Sequence, residues 1–135
     1  MGLQDYAGII GLGEACRYLK KLGQSNIMKH EIKLNSMITE SLLDNKKLSV
    51  IGPADAEKRS GIFSFNIEGM NPHDVARMLD SSKGIMIRSG MHCCHSWFNA
   101  RGMRGSARAS LYLYNTEKEA DVFISEVKKI RMLAK

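Results

Sequence analysis

The hydrophobic period of this chain switches repeatedly between strand and helix spacing, and that switching narrows its fold more than any other feature. Residues 62–67 alternate, with Phe63, Phe65 and Ile67 on one face and Ser64 and Asn66 on the other, the pattern of a half-buried strand. Asn71-Pro72 then opens a helix of about two turns, with proline at the first helical position and Asp74 in the first turn. Further strands are expected at 48–51, followed by a turn through Pro53, at 85–88 and at 108–114. In the last of these, Ala109, Leu111 and Leu113 share one face and Arg108, Ser110 and Tyr112 the other. Thr116 with Glu119 makes a capping box, and Ala120, Phe123, Val127 and Ile130 give the closing helix its core stripe. Two helices lead the chain. One lies near 5–22, with Ile9, Leu12, Cys16 and Leu19 on one side; the other, near 25–46, carries Leu34, Ile38 and Leu42. The expected class is α/β in the α+β sense: a small antiparallel or mixed sheet of three to four strands covered by helices on one face. The chain reads as a single domain over 1–135, with leading helices at 1–46 and a sheet-and-helix unit at 47–135.

Composition suits a globular domain, at 44% hydrophobic and 25% charged residues. No apolar run approaches the ~20 residues that span a bilayer, and no charged-then-apolar leader opens the chain, so no membrane is expected as a partner. Cys16, Cys93 and Cys94 form no pairable framework, which points to a reducing cytoplasm. The net charge of +6 is spread over the 128–135 helix end, the 101–108 loop and scattered helix positions, without interleaved aromatics. A solvated face is the better reading than a nucleic-acid partner. Gly11-Leu-Gly-Glu-Ala-Cys16 echoes a dinucleotide fingerprint, but no strand precedes it and no βαβ unit follows. His92-Cys93-Cys94-His95 is too compact to close one zinc tetrahedron, so no metal is expected. Met70, Met78, Met86, Met91 and Met103 read as gap-filling residues, and Trp97-Phe98 as an anchor for the long loop.

The chemistry concentrates in Arg88-Ser-Gly-Met-His-Cys93, with Arg108 following in Ser106-Ala-Arg-Ala-Ser110. A thiol on a Gly90-containing loop, after one short strand and beside another, would lie between two guanidiniums. Each arginine offers a rigid fork matched to a carboxylate, and the positive field favours the reactive thiolate. On residue types alone the plainer reading is that the arginines are solvated strand ends and Cys93 a small buried hydrophobe.

The run from Arg88 to Thr116 changes that balance. Arg88, Gly90, His92 and Cys93, then Arg108, Ala109 and Ser110, then Tyr114, Asn115 and Thr116 fall in the register of the C-terminal signature of class V aminotransferases. The match resembles most the cysteine desulfurase and selenocysteine lyase branch. Residues 6–15 resemble the helix after the cofactor-binding region of these enzymes, and the segment near 51–53 the start of their small domain. The resemblance implies the C-terminal domain of a fold-type-I pyridoxal phosphate enzyme. Cys93 would be the sulfur-accepting nucleophile, Arg108 and Arg88 would hold the carboxylate of cysteine or selenocysteine, and His92 and Gly90 would assist.

The sequence also departs from that family. Members are much longer and bind pyridoxal phosphate in a large N-terminal domain, whose Schiff-base lysine has no counterpart here. Lys20, Lys21, Lys29 and Lys33 lie in expected helices, outside any Ser-x-His-Lys context. Gly2-Leu3 stands where a Gly-Thr reaches the partner subunit's cofactor phosphate, and Met91 stands where some relatives have a second histidine. The chain is therefore expected to bind no cofactor alone and to be inactive without a separate large domain. It is also expected to self-associate through apolar surface near Ile9, Ile10, Trp97 and Phe98. Two other classes stay open: a binding, regulatory or sulfur-carrier module that works with a sulfur acceptor protein, and an inert fragment of a split gene. Cys16 is expected to be buried. Cys94 is expected to lag Cys93 in reactivity because neighbours on an extended loop point apart.

Overall fold

A computed structural model describes residues 2–44 and 46–134. The chain opens with α1 (Tyr6–Leu22) and α2 (Gln24–Leu42), separated at Gly23, whose φ of 86° breaks the helical path. Next come β1 (Leu48–Val50), a 3-10 turn at Ala56–Lys58, β2 (Ile62–Ile67) and α3 (Pro72–Lys83). The remainder is β3 (Arg88–Gly90), α4 (His95–Asn99), β4 (Ser106–Ser110) and α5 (Glu117–Leu133). The four strands form one antiparallel sheet in the order β1-β2-β4-β3.

The alternation expected at 62–67 is realised: Phe63, Phe65 and Ile67 are buried. Across the ladder Phe63 faces Ala109 and Phe65 faces Ala107, so each ring lies opposite a small residue. That leaves room for Phe123 of α5, which meets both rings edge-on, with centroids 6.3 and 5.9 Å away. Leu34, Ile38 and Leu42 of α2, Val75 and Leu79 of α3, and Ala120, Val127 and Ile130 of α5 complete this core. The Thr116–Glu119 capping box closes the start of α5, with both reciprocal bonds in place.

Other boundaries moved. The second helix ends at Leu42 rather than 46, with the Leu43 N–H donating to the Thr39 carbonyl; residue 45 of that expectation lies outside the described residues. The Asn71-capped helix runs 12 residues instead of about two turns, and stops where Gly84 turns left-handed at φ 65°. The expected strand at 85–88 shifts to Arg88–Gly90: the Ile85 N–H donates to the Leu79 carbonyl near the end of α3, and Ile85 and Ile87 pack on the core outside the ladder. The last strand starts two residues early, at Ser106, and ends at Ser110, with Leu111 adding one bond to the Gly61 carbonyl. There the Asn115 side chain accepts from the Tyr112 N–H and turns the chain away. The helices α1 and α2 form where expected, but α1 buries none of its residues: Ile9 is 59% and Ile10 69% exposed. Cys16, expected inside, is exposed as well. Among the described residues no helix is long and apolar enough to cross a membrane.

Candidate active site around Cys93

The β3–β4 ladder sets Arg88 directly opposite Arg108. Because Ala107 and Ala109 point into the core, Arg108 emerges on the far face, with Ser64 of β2 opposite it on its other side. Like charges facing each other across strands are unfavourable unless something anionic joins them. Here no carboxylate does so among the described residues: Arg17, Arg77 and Arg131 have acidic partners, Arg88 and Arg108 have none. The Nε of Arg108 is buried without a hydrogen-bond acceptor.

The strands approach closely because Gly105 lacks a side chain. A Cβ at Gly105 would lie 2.6 Å from the Gly90 carbonyl carbon and oxygen. Beyond Gly90 the chain reverses, with His92 and Cys93 both left-handed at φ 51° and 62°. The Cys94 N–H donates to the Met91 carbonyl at 2.8 Å, and α4 begins at the next residue. This turn exposes the Cys93 thiol and brings Arg88 Nη2 to 4.0 Å from its sulfur. Cys94 is exposed too, and the backbone here is not extended, so the expected side-to-side alternation does not separate the two thiols. The Arg88 contact, made to Cys93, does separate them.

His92 turns inward. Its Nε2 shares a hydrogen bond with Ser106 Oγ at 2.9 Å, and its ring lies 6.1 Å from that of Phe98. Phe98 is 4% exposed and anchors α4 to the body, correcting the expectation that it would lie uncovered. Trp97 stays 40% exposed, edge-on to Phe98, with the Arg101 guanidinium 4.1 Å above its ring. Burial, then the charges of Arg108 and Arg88, hold the His92 pKa below its usual value of 6.5, against an opposing contribution from Ser106. The Nδ1 atom is buried without a partner, so the second N–H of an imidazolium would meet no acceptor.

A pH dependence follows from these groups. Below pH 6.5 an unfolded His92 takes up its proton before the folded one does, so stability is lost as pH falls from there through the lowered folded value. Denaturation midpoints should drop on acidification more steeply in the wild type than in His92→Gln. Parallel pH profiles for the two proteins would contradict this.

The sequence-expected residues therefore converge: Arg88, Arg108 and Cys93 share one face, Gly90 at φ 113° leads into the turn, and His92 anchors the loop. Ser64, Gly105 and Ser106 were missed. Ser106 carries no local signal, since it falls before the expected start of the strand. Among the described residues no cluster of three His, Cys, Asp or Glu side chains is arranged to hold a metal ion.

The chain thus presents a thiol loop mounted on a short antiparallel sheet and backed by helices, a small α/β domain. The model of the family described as aminotransferase class-V matches residues 2–123, and the chain belongs to that family. A probable cysteine desulfurase of Halalkalibacterium halodurans is 39% identical over 130 residues, covering 96% of this chain and 31% of its own length. One from Pyrococcus abyssi is 36% identical over 129 residues, covering 96% and 32%. The apo cysteine desulfurase of Thermococcus onnurineus superposes with a TM-score of 0.89 at 36% identity, covering 97% of this chain and 32% of that one. The chain thus spans about a third of the length of the relatives it matches.

Proposed function

We propose that this chain supplies the sulfur-accepting site of a cysteine desulfurase as that enzyme's C-terminal domain. The observation that carries the reading is the pair of facing arginines without a carboxylate, one of them touching an exposed thiol. A free amino acid's carboxylate satisfies both forks, Arg108 as the main partner and Arg88 beside it. The thiol of Cys93 then meets the sulfur of the bound cysteine. The substrate's C–S bond breaks and an S–S bond forms on Cys93. Of the two thiol protons, one stays on the persulfide and one goes to the new methyl group of alanine. The atoms and electrons balance without an external oxidant. Selenocysteine fits the same carboxylate grip, and a sulfur acceptor protein would remove the product sulfur from the exposed loop.

Pyridoxal phosphate, the cofactor implied by the family, does not fit the groups gathered here. The cations at the site are guanidiniums, which form no Schiff base, and Lys20, Lys21, Lys29 and Lys33 lie on α1 and α2. The electron sink for C–S cleavage belongs to a part of the enzyme beyond the described residues.

The test is alkylation at neutral pH with peptide mapping. Cys93 should be modified ahead of Cys94 and Cys16, although all three are exposed. Neutralising both arginines, Arg88→Gln with Arg108→Gln, should slow Cys93 about tenfold, and added salt should slow the wild type. Cys94 or Cys16 reacting first would remove the basis for the assignment.

A further inference from the structure

We infer that Ser106 is a positioning residue for the Cys93 nucleophile, acting through its hydrogen bond to His92. The inference rests on the reading of Cys93 as the sulfur-accepting thiol and adds to it the group that sets the thiol's place. Two consecutive non-glycine residues, His92 and Cys93, hold left-handed backbone at φ 51° and 62°. Each such residue costs on the order of a kcal/mol, so the turn persists only if its surroundings enforce it. On the far side of the turn, the Cys94 N–H reaches back to Met91. On the near side two side-chain contacts tie the strained pair to the sheet: Arg88 Nη2 lies 4.0 Å from the Cys93 sulfur, and the shorter bond, from the inward-turned member, joins His92 Nε2 and Ser106 Oγ at 2.9 Å.

Ser106 is itself fixed. It is fully buried, it faces Gly90 in the β3–β4 ladder, and it stands two residues before Arg108 on the same strand. One serine thereby ties together the strand that carries Arg108, the strand that carries Arg88 and the loop that carries Cys93. The Phe98 ring, 6.1 Å from His92, packs against the imidazole but offers it no hydrogen bond, so apolar packing alone cannot fix the ring's rotation. Releasing the bond lets the turn relax toward ordinary backbone angles, which withdraws the thiol from Arg88.

The experiment compares alkylation rates of Cys93, Cys94 and Cys16 in the wild type, Ser106→Ala, Ser106→Thr and His92→Gln. Ser106→Ala should slow Cys93 about fivefold, the population shift that one lost net hydrogen bond produces, and leave Cys94 and Cys16 unchanged. Ser106→Thr keeps the hydroxyl and should recover the wild-type rate. His92→Gln, whose amide still reaches Ser106, should stay within about twofold of it. If Ser106→Ala fails to fold, His92→Phe breaks the same bond on the loop side and should give the same selective loss. Wild-type and Ser106→Ala rates that agree at Cys93 would overturn the positioning role while leaving Cys93 as the nucleophile. A wild-type Cys93 no faster than Cys16 would overturn the nucleophile assignment and this inference with it.

Discussion

Gly105→Ala should lower the stability of this domain by about 3 kcal/mol or more and should uncouple Arg88 from Arg108. Two costs add at this position. The backbone has φ 125°, a conformation that residues with a side chain rarely adopt. The new methyl would also lie 2.6 Å from both the carbon and the oxygen of the Gly90 carbonyl, main-chain atoms that cannot swing aside. Relief requires β3 to move off β4, and the Gly90–Ser106 and Arg88–Arg108 pairings separate together. Gly84→Ala is the control. That glycine is left-handed at φ 65° with open space around it, so alanine there carries the backbone cost alone, about 1–2 kcal/mol. Urea denaturation of both variants measures the difference, and alkylation of Cys93 reports the site. Equal destabilisation by the two substitutions, with Cys93 reactivity retained in both, would show that the Gly90–Gly105 approach does not hold the site together.

The contrast between those glycines shows what was legible in the chain and what was not. The faces of β2, the Thr116–Glu119 box and the buried stripe of α5 depend on residues close in sequence, and all three hold as read. The Arg88–Cys93–Arg108 grouping was legible through the resemblance, and its geometry through two short strands meeting antiparallel. Strand ends were not, because a ladder stops where its partner leaves, and Asn115 turns β4 away through a side-chain bond that no alternation encodes. The exposure of Cys16 escaped for another reason. A helical stripe says that α1 has an apolar side, not what covers it, and among the described residues that side stays open. The role of Ser106 escaped because burial at one strand position depends on the register with Gly90, which is settled only in three dimensions.

Cys93→Ser should abolish sulfur loading of this loop and leave the fold unchanged. The side chain is exposed, serine has nearly the same shape, and a hydroxyl tolerates the left-handed turn as well as a thiol does. The oxygen cannot carry a sulfane sulfur, so the loss is chemical, not structural. Treated with inorganic polysulfide at neutral pH, the wild-type chain should gain one sulfur atom, mapped by mass spectrometry to Cys93. Cys93→Ser should lose at least about ninety per cent of that early product, because the other thiols are not held beside Arg88. Cys94→Ser serves as the opposite control and should load at close to the wild-type rate. Under the proposed function, a full-length cysteine desulfurase carrying this domain should lose alanine release from cysteine on the order of a thousandfold or more in Cys93→Ser, as expected for removal of a nucleophile. Undiminished loading of Cys93→Ser, with the sulfur found on Cys94, would transfer the acceptor role to the neighbouring thiol and leave the two arginines without a nucleophile beside them.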